Sequence, residues 1–279
     1  MDKNKKKTEE MLTILAVCAA SIVLCCVILL FDRKSDSEIA QETIESTTIS
    51  EKENNLKELQ EEIDQYLKET AISKTDIGFY VEDPESNQTI SINGDLPFFA
   101  ASTYKLPLAM VWYDQINAGN AQLSDYYDAL ENMVVNSDND TAEYLFESLG
   151  GWEAYKQRIA FYDPQQEVNS EYLATDNVFT PDNMGHILRY LYDHKDAYDQ
   201  LIKDMKKSHP GQFLDRNLNI YFAQKYGSYE DAYNAVGLSL TSKKPYIIAI
   251  YTNLGEYGEE VIGDLNEICF EYFNNNVEK

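Results

Sequence analysis

Ser102 and Lys105 stand three residues apart at the head of an apolar run that continues to Trp112. If a helix begins near Ser102, both side chains lie on one face, a turn apart. Pro107 agrees with that start, because proline is tolerated in a first turn, where few ladder bonds can be lost. The positive field of a helix N-terminus favours a developing alkoxide on Ser102. The same field, together with burial, disfavours a charged Lys105, so the lysine can act as a base near neutral pH. Ser-x-x-Lys alone often arises by chance, and its meaning depends on partners. Two short runs offer them: Ser137-Asp138-Asn139 and Lys225-Tyr226-Gly227. Alone, the first is an ordinary capping turn and the second an ordinary strand end. His186, His194 and His209 show no metal-ligand spacing and are read as surface or core residues away from these runs, so no metal and no cofactor is expected.

The elements that must position these residues follow from periodicity. Leu56, Leu59, Ile63, Tyr66 and Leu67 repeat at helical spacing up to about Thr70. Strand-like runs at 76–81 and 89–92 flank the turn-rich Asp83-Pro84-Glu85-Ser86-Asn87. The Ser102 helix should end near Gly119, and helical patterns follow at 126–135, 141–149, 152–161, 182–194 and 197–207. Gly150-Gly151 reads as a helix stop, and Thr180-Pro181 as an N-cap with proline at the first helical position. Strands return at 220–225, 235–241 and 245–252, and a helix at 259–273 closes the pattern. Strands segregated to both ends around a block of helices predict an α+β fold, its antiparallel sheet completed by both ends of the chain.

Of the 279 residues, 44% are apolar, ample for a core, and 48 acids against 23 bases give a net charge of −25. Such an acidic surface argues against a nucleic-acid partner, which requires a basic face. Residues 1–10 contain Lys3, Lys5, Lys6 and Lys7, and residues 11–31 carry no charge. Twenty-one helical residues span roughly 31 Å, the thickness of a bilayer core. Leu29, Leu30 and Phe31 run straight into Asp32 with no small-residue cleavage site, so an uncleaved anchor is expected. The lysines before it belong in the cytoplasm and the rest outside. Residues 32–54 then read as a polar stalk and 55–279 as the functional domain. Cys18, Cys25 and Cys26 lie in the apolar run, which leaves Cys269 alone in the exported part, without a disulfide partner.

Ser-x-x-Lys, Ser-Asp-Asn and Lys-x-Gly in this order resemble the penicillin-recognising serine hydrolases, the class A β-lactamases and D,D-peptidases. The likeness extends from Phe99 through Ala109, from Met133 through Gly151 and along Pro245–Asn253. It implies an antiparallel sheet flanked by helices with a helical subdomain. It also implies an acyl-enzyme on Ser102, with Lys105 as base and Ser137 passing a proton to the leaving nitrogen. Asn139 would hydrogen-bond the substrate amide and Lys225 attract its carboxylate. The backbone N–H groups of Ser102 and Ser228, beside Gly227, would form the oxyanion hole. Three departures stand out. Tyr226 occupies the place of the family's Thr or Ser, and its bulk bears on how a carboxylate would sit. The segment from Ser102 to Ser137 is short. No acid between Phe161 and Thr180 has an asparagine four residues on, the spacing of the deacylating glutamate; Glu167 and Glu171 are the candidates. Together with the anchor read from residues 11–31, the resemblance leads to the expectation of a membrane-anchored monomer that hydrolyses β-lactams, and the missing glutamate spacing adds slow deacylation. A D,D-peptidase acting on D-Ala-D-Ala-type peptides, another peptidoglycan-related hydrolase, and a non-turnover binding module stay open beside it.

Overall fold

A computed structural model of the chain describes residues 56–275; the expected tail, anchor and stalk, 1–54, lie outside them. Among the described residues no helix is long and apolar enough to cross a membrane. The elements run α1 (Lys57–Glu69), β1 (Ile77–Asp83), β2 (Gln88–Ile92), β3 (Phe98–Phe99), α2 (Lys105–Asn117), α3 (Leu123–Val135), α4 (Asn139–Leu149) and α5 (Gly151–Ile159). After these come α6 (Ser170–Ala174), β4 (Val178–Phe179), α7 (Pro181–Asp193), α8 (Asp199–Met205), β5 (Ala223–Tyr229), β6 (Ala232–Ser239), β7 (Tyr246–Thr252) and α9 (Tyr257–Asn275).

The main sheet has the order β2-β1-β7-β6-β5, antiparallel throughout, with β7 between the N-terminal and C-terminal strand pairs. Every residue of β1 and β7 is buried, because helices cover both faces. Alternation then divides each strand between two cores. Phe79, Val81, Ile248 and Ile250 pack with α1 and α9 on one face. Tyr80, Ile247, Ala249 and Tyr251 pack with the helical block on the other. Leu59 and Ile63 carry the buried side of α1, each contributing about 1.5–3 kcal/mol by leaving water. Tyr66 ties that helix to α9 through its hydroxyl, which donates to Asp264 at 2.9 Å. The thiol of Cys269, buried in α9, is pushed up by burial.

The cap signals act as expected. Thr180 Oγ1 accepts from the backbone N–H of Asn183 with Pro181 at the first position of α7, and Gly150 adopts φ 108° where α4 ends. β5 departs from its expected bounds, starting at Ala223 and running past Lys225 to Tyr229. Asp215 accepts from Phe222 N–H at 2.6 Å, which draws residues 220–222 off the ladder. Beyond Lys225 the strand continues along a sheet edge, where exposed Ser228 and Tyr229 need not be apolar. The two-residue ladder of β3 and β4, Phe98 opposite Phe179, is too short to show in any periodicity.

Candidate active site

Ser102 does not begin the α-helix. It sits in a 3-10 turn, Ala101–Tyr104, and α2 starts at Lys105. The turn is forced by the residue before the serine: Ala101 has φ 48°, a left-handed conformation that costs a non-glycine residue about 1–3 kcal/mol. Four bonds hold it. The amide and hydroxyl of Thr103 both donate to Ala100 O, at 3.1 and 2.8 Å. Ala100 N–H donates to Asn177 O at 3.0 Å, and Asn177 Nδ2 donates to Ala101 O at 2.8 Å. The sheet meets the same turn through Tyr251, whose hydroxyl lies 3.3 Å from Thr103 Oγ1. Gly227 is needed here: a Cβ on it would lie 2.4 Å from Ser102 N and 3.0 Å from Ala100 O. Only a bare Cα lets the β5 edge approach the Ser102 backbone so closely.

Lys105 is buried and donates to Ser137 O at 2.6 Å, Asp138 O at 3.3 Å and Asn139 Oδ1 at 2.6 Å. Burial lowers its pKa to about 8, against the opposing pull of the Asp138 charge. All three ammonium protons are thus taken by the Ser-Asp-Asn turn. That turn is set by Ser137 at φ 56° and by Asp138, the N-cap of α4. The Asp138 carboxylate accepts from the N–H and hydroxyl of Thr141, each at 2.8 Å, and these bonds hold its pKa down.

Lys225 closes the group from β5. Its Nζ donates to Ser137 Oγ at 2.9 Å and to Tyr226 O at 2.8 Å, and lies 4.2 Å from the centre of the Tyr226 ring. It is 0% exposed, and burial, then the charge of Lys105, hold its pKa well below the usual lysine value. Burial raises the Tyr226 phenol, and a hydrogen bond with Ser137 pulls it back. His209 corrects the sequence reading: it does not stand apart, because its ring lies 4.0 Å from that of Tyr226, which also stacks on Phe213. The spacing of Lys-x-Gly gave no hint of a histidine sixteen positions upstream; Gln224 folds that segment back, its Nε2 donating to Ser208 O, His209 O and Gln212 O.

Glu167 and Glu171 are both exposed, and neither carboxylate bonds Ser102, Lys105 or Ser137 among the described contacts. What the segment before Thr180 brings to the Ser102 turn is Asn177, whose Oδ1 is buried without a partner. The segment is fixed at one end by Asp163, which accepts from Asn183 Nδ2 and pairs with His186 at 2.8 Å. At the other, Trp152 Nε1 donates to Thr175 O, and Tyr172 covers the buried Lys156 ammonium at 4.1 Å. Among the described residues no cluster of side chains fits a metal ion.

An antiparallel sheet between helices, with Ser102, Lys105, Ser137, Asn139, Lys225 and Gly227 drawn together beside it, defines a β-lactamase-like architecture. The chain belongs to the β-lactamase enzyme family, whose model matches residues 58–128 and 124–273. Solved structures agree at the level of fold. PBP-A is 18% identical over 79% of this chain and 97% of its own, with a TM-score of 0.67. TLA-3 extended-spectrum β-lactamase is 22% identical over 77% of this chain and 98% of its own, at 0.64. A β-lactamase from Chitinophaga pinensis is 20% identical over the same shares, also at 0.64. No curated protein sequence matches the chain significantly.

Proposed function

We propose that this protein is a serine hydrolase of β-lactams that works through an acyl-enzyme on Ser102 and releases the acyl group slowly. The observation that carries the reading is the single contact group linking Lys105, Ser137 and Lys225 against the turn that bears Ser102. In this reading Ser102 Oγ attacks the carbonyl and its proton passes to Lys105 after the lysine has shed one proton. Ser137, bonded to Lys225, returns a proton to the leaving nitrogen. The amides of Ser102 and Ser228 stabilise the oxyanion. Asn139, exposed at the head of α4, keeps its amide nitrogen for the acyl side chain while its oxygen faces Lys105. Slow release is supported by the lack of any carboxylate from 163–180 bonded at the Ser102 turn, and by a solved relative, a PBP-A mutant described as an acyl-enzyme complex with penicillin G.

Peptidoglycan-like peptides are the second substrate class, favoured by the same missing base, since a peptidase and a β-lactam-binding protein share the acylation half. The uncharged run 11–31 behind four lysines supports a domain tethered outside the cytoplasmic membrane. Incubation with penicillin G followed by intact-mass analysis tests the reading. One acyl adduct, mapped to Ser102 and absent from Ser102→Ala, is the expected result; an adduct that persists in Ser102→Ala overturns it.

A further inference from the structure

We infer that Glu143, on the exposed side of α4, is the general base that activates water against the Ser102 acyl-enzyme. The inference rests on the acyl-enzyme reading and supplies its second half, the release step for which the 163–180 segment offers no bonded carboxylate.

The placement follows from helical spacing. Asn139, Glu143 and Phe146 stand four and three residues apart on α4, so they share one strip of its surface. Both ends of that strip meet the Ser102–Lys105 segment. Asn139 Oδ1 accepts from Lys105 Nζ at 2.6 Å. Phe146 packs on the rings of Trp152 and Tyr155 at 5.4 and 5.6 Å, and each of those rings lies 6.4 Å from that of Tyr104. Tyr155 also donates its hydroxyl proton to Tyr104 O at 3.0 Å. Glu143, between the two ends, therefore faces Tyr104. Burial first, and then the charge of Glu143, raise the Tyr104 phenol, and the Lys105 amine lies 6.0 Å from the centre of the same ring. Helical side chains lean toward the N-terminus of their helix, which carries the Glu143 carboxylate back toward Asn139 and the site.

This carboxylate is also free. Asp138 is engaged by Thr141, and Asp163 by Asn183 and His186. Among the described residues Glu143 has neither a hydrogen bond nor an ion pair, and it is exposed, so water reaches it. A base acts through hydrogen-bond reach of the proton it takes, and one water spans the gap to the acyl carbon. The same freedom keeps release slow, since a carboxylate that nothing holds orients its water poorly.

The step balances as follows. Glu143 takes one proton of the water as its oxygen bonds the acyl carbon. The carbon–Oγ bond then breaks, and Ser102 Oγ takes a proton from the Lys105 ammonium. The acid leaves, and the proton on Glu143 returns to Lys105 through solvent.

The test follows loss of the penicillin G adduct by intact mass after free penicillin is removed. Glu143→Gln keeps the shape of the side chain at an exposed position and leaves the packing of α4 in place. Its adduct should persist at least tenfold longer than that of the wild type. Hydroxylamine, a stronger nucleophile than water that needs no protein base, should release the acyl group from both proteins at rates within about twofold. Release from Glu143→Gln at the wild-type rate overturns the inference, as does a wild-type adduct that water never releases. Slowing by the same factor with hydroxylamine also overturns it, because a distorted site rather than a lost base would then be the cause. Failure of the wild type to form any adduct overturns the acyl-enzyme reading itself.

Discussion

Asn177 Nδ2 donates to the carbonyl of Ala101 at 2.8 Å, so the segment ahead of α7 grips the left-handed residue that precedes Ser102. The bond fixes a conformation that Ala101 would otherwise leave, and Ser102 turns with it. Asn177→Ala should therefore lower stability by about 1–3 kcal/mol, the usual loss when a buried partner is removed. It should also slow acylation while leaving the Lys105 pH dependence in place. Urea unfolding and the rate of adduct formation check both; wild-type acylation in the variant would show that the turn holds itself.

Acylation should rise with pH through about 8, the value to which burial lowers Lys105. The sign follows from the neutral amine being the base: roughly a tenth of it is neutral at pH 7 and half at pH 8. Lys105→Ala should lose about 10²–10⁴ in rate, and the rising limb with it. Rate–pH profiles of both proteins measure this, and an unchanged limb in Lys105→Ala would assign the proton to another group.

Deacylation should limit turnover, because no carboxylate from 163–180 is bonded at the Ser102 turn. Losing a general base costs about 10²–10⁴ in rate. Stopped-flow work with a chromogenic cephalosporin should give a burst of one equivalent and then a slow phase. Fast steady turnover without an accumulating adduct, abolished in Glu167→Gln, would instead show that Glu167 moves into the role.

The Asp163–His186 pair should give stability a maximum in mildly acidic solution. Burial alone would raise Asp163, but hydrogen bonds from His186 and Asn183 outweigh it and hold its pKa below the usual value. The bond to Asp163 raises His186, burial notwithstanding. The depressed carboxyl contributes stability above about pH 4 that is lost as pH falls through its folded value. The raised imidazole contributes stability fully present below about pH 6.5 and lost as pH climbs through its own folded value. His186→Gln should flatten the alkaline side of a Tm–pH curve, and an unchanged curve would remove the pair from the account.

Protease added outside spheroplasts should release a soluble fragment starting within 32–54, if the uncharged 11–31 run anchors the domain outside the membrane. Protection of the domain under these conditions would refute that topology.

Sequence alone determined the order and type of most elements, since Leu59 and Ile63 on one helix face and the unbroken run Tyr246–Thr252 report burial through local periodicity. It also marked Ser102, Lys105, Ser137, Asn139 and Lys225 as candidates, because each lies in a short motif whose residue types suit the proposed chemistry. It placed Thr180-Pro181 and Gly150 as helix boundaries for the same local reason. Only the tertiary structure decided what surrounds those residues. Asn177 reaches Ala101 across 76 positions, Lys225 reaches Ser137 across 88, and His209 meets Tyr226 through a loop that Gln224 folds. Contacts of that range depend on chain closure and shared burial, and they leave no period in the sequence. The 3-10 turn at Ser102 belongs with them. The pattern of residues around it is helical, and the left-handed Ala101 is held by partners that lie on other elements.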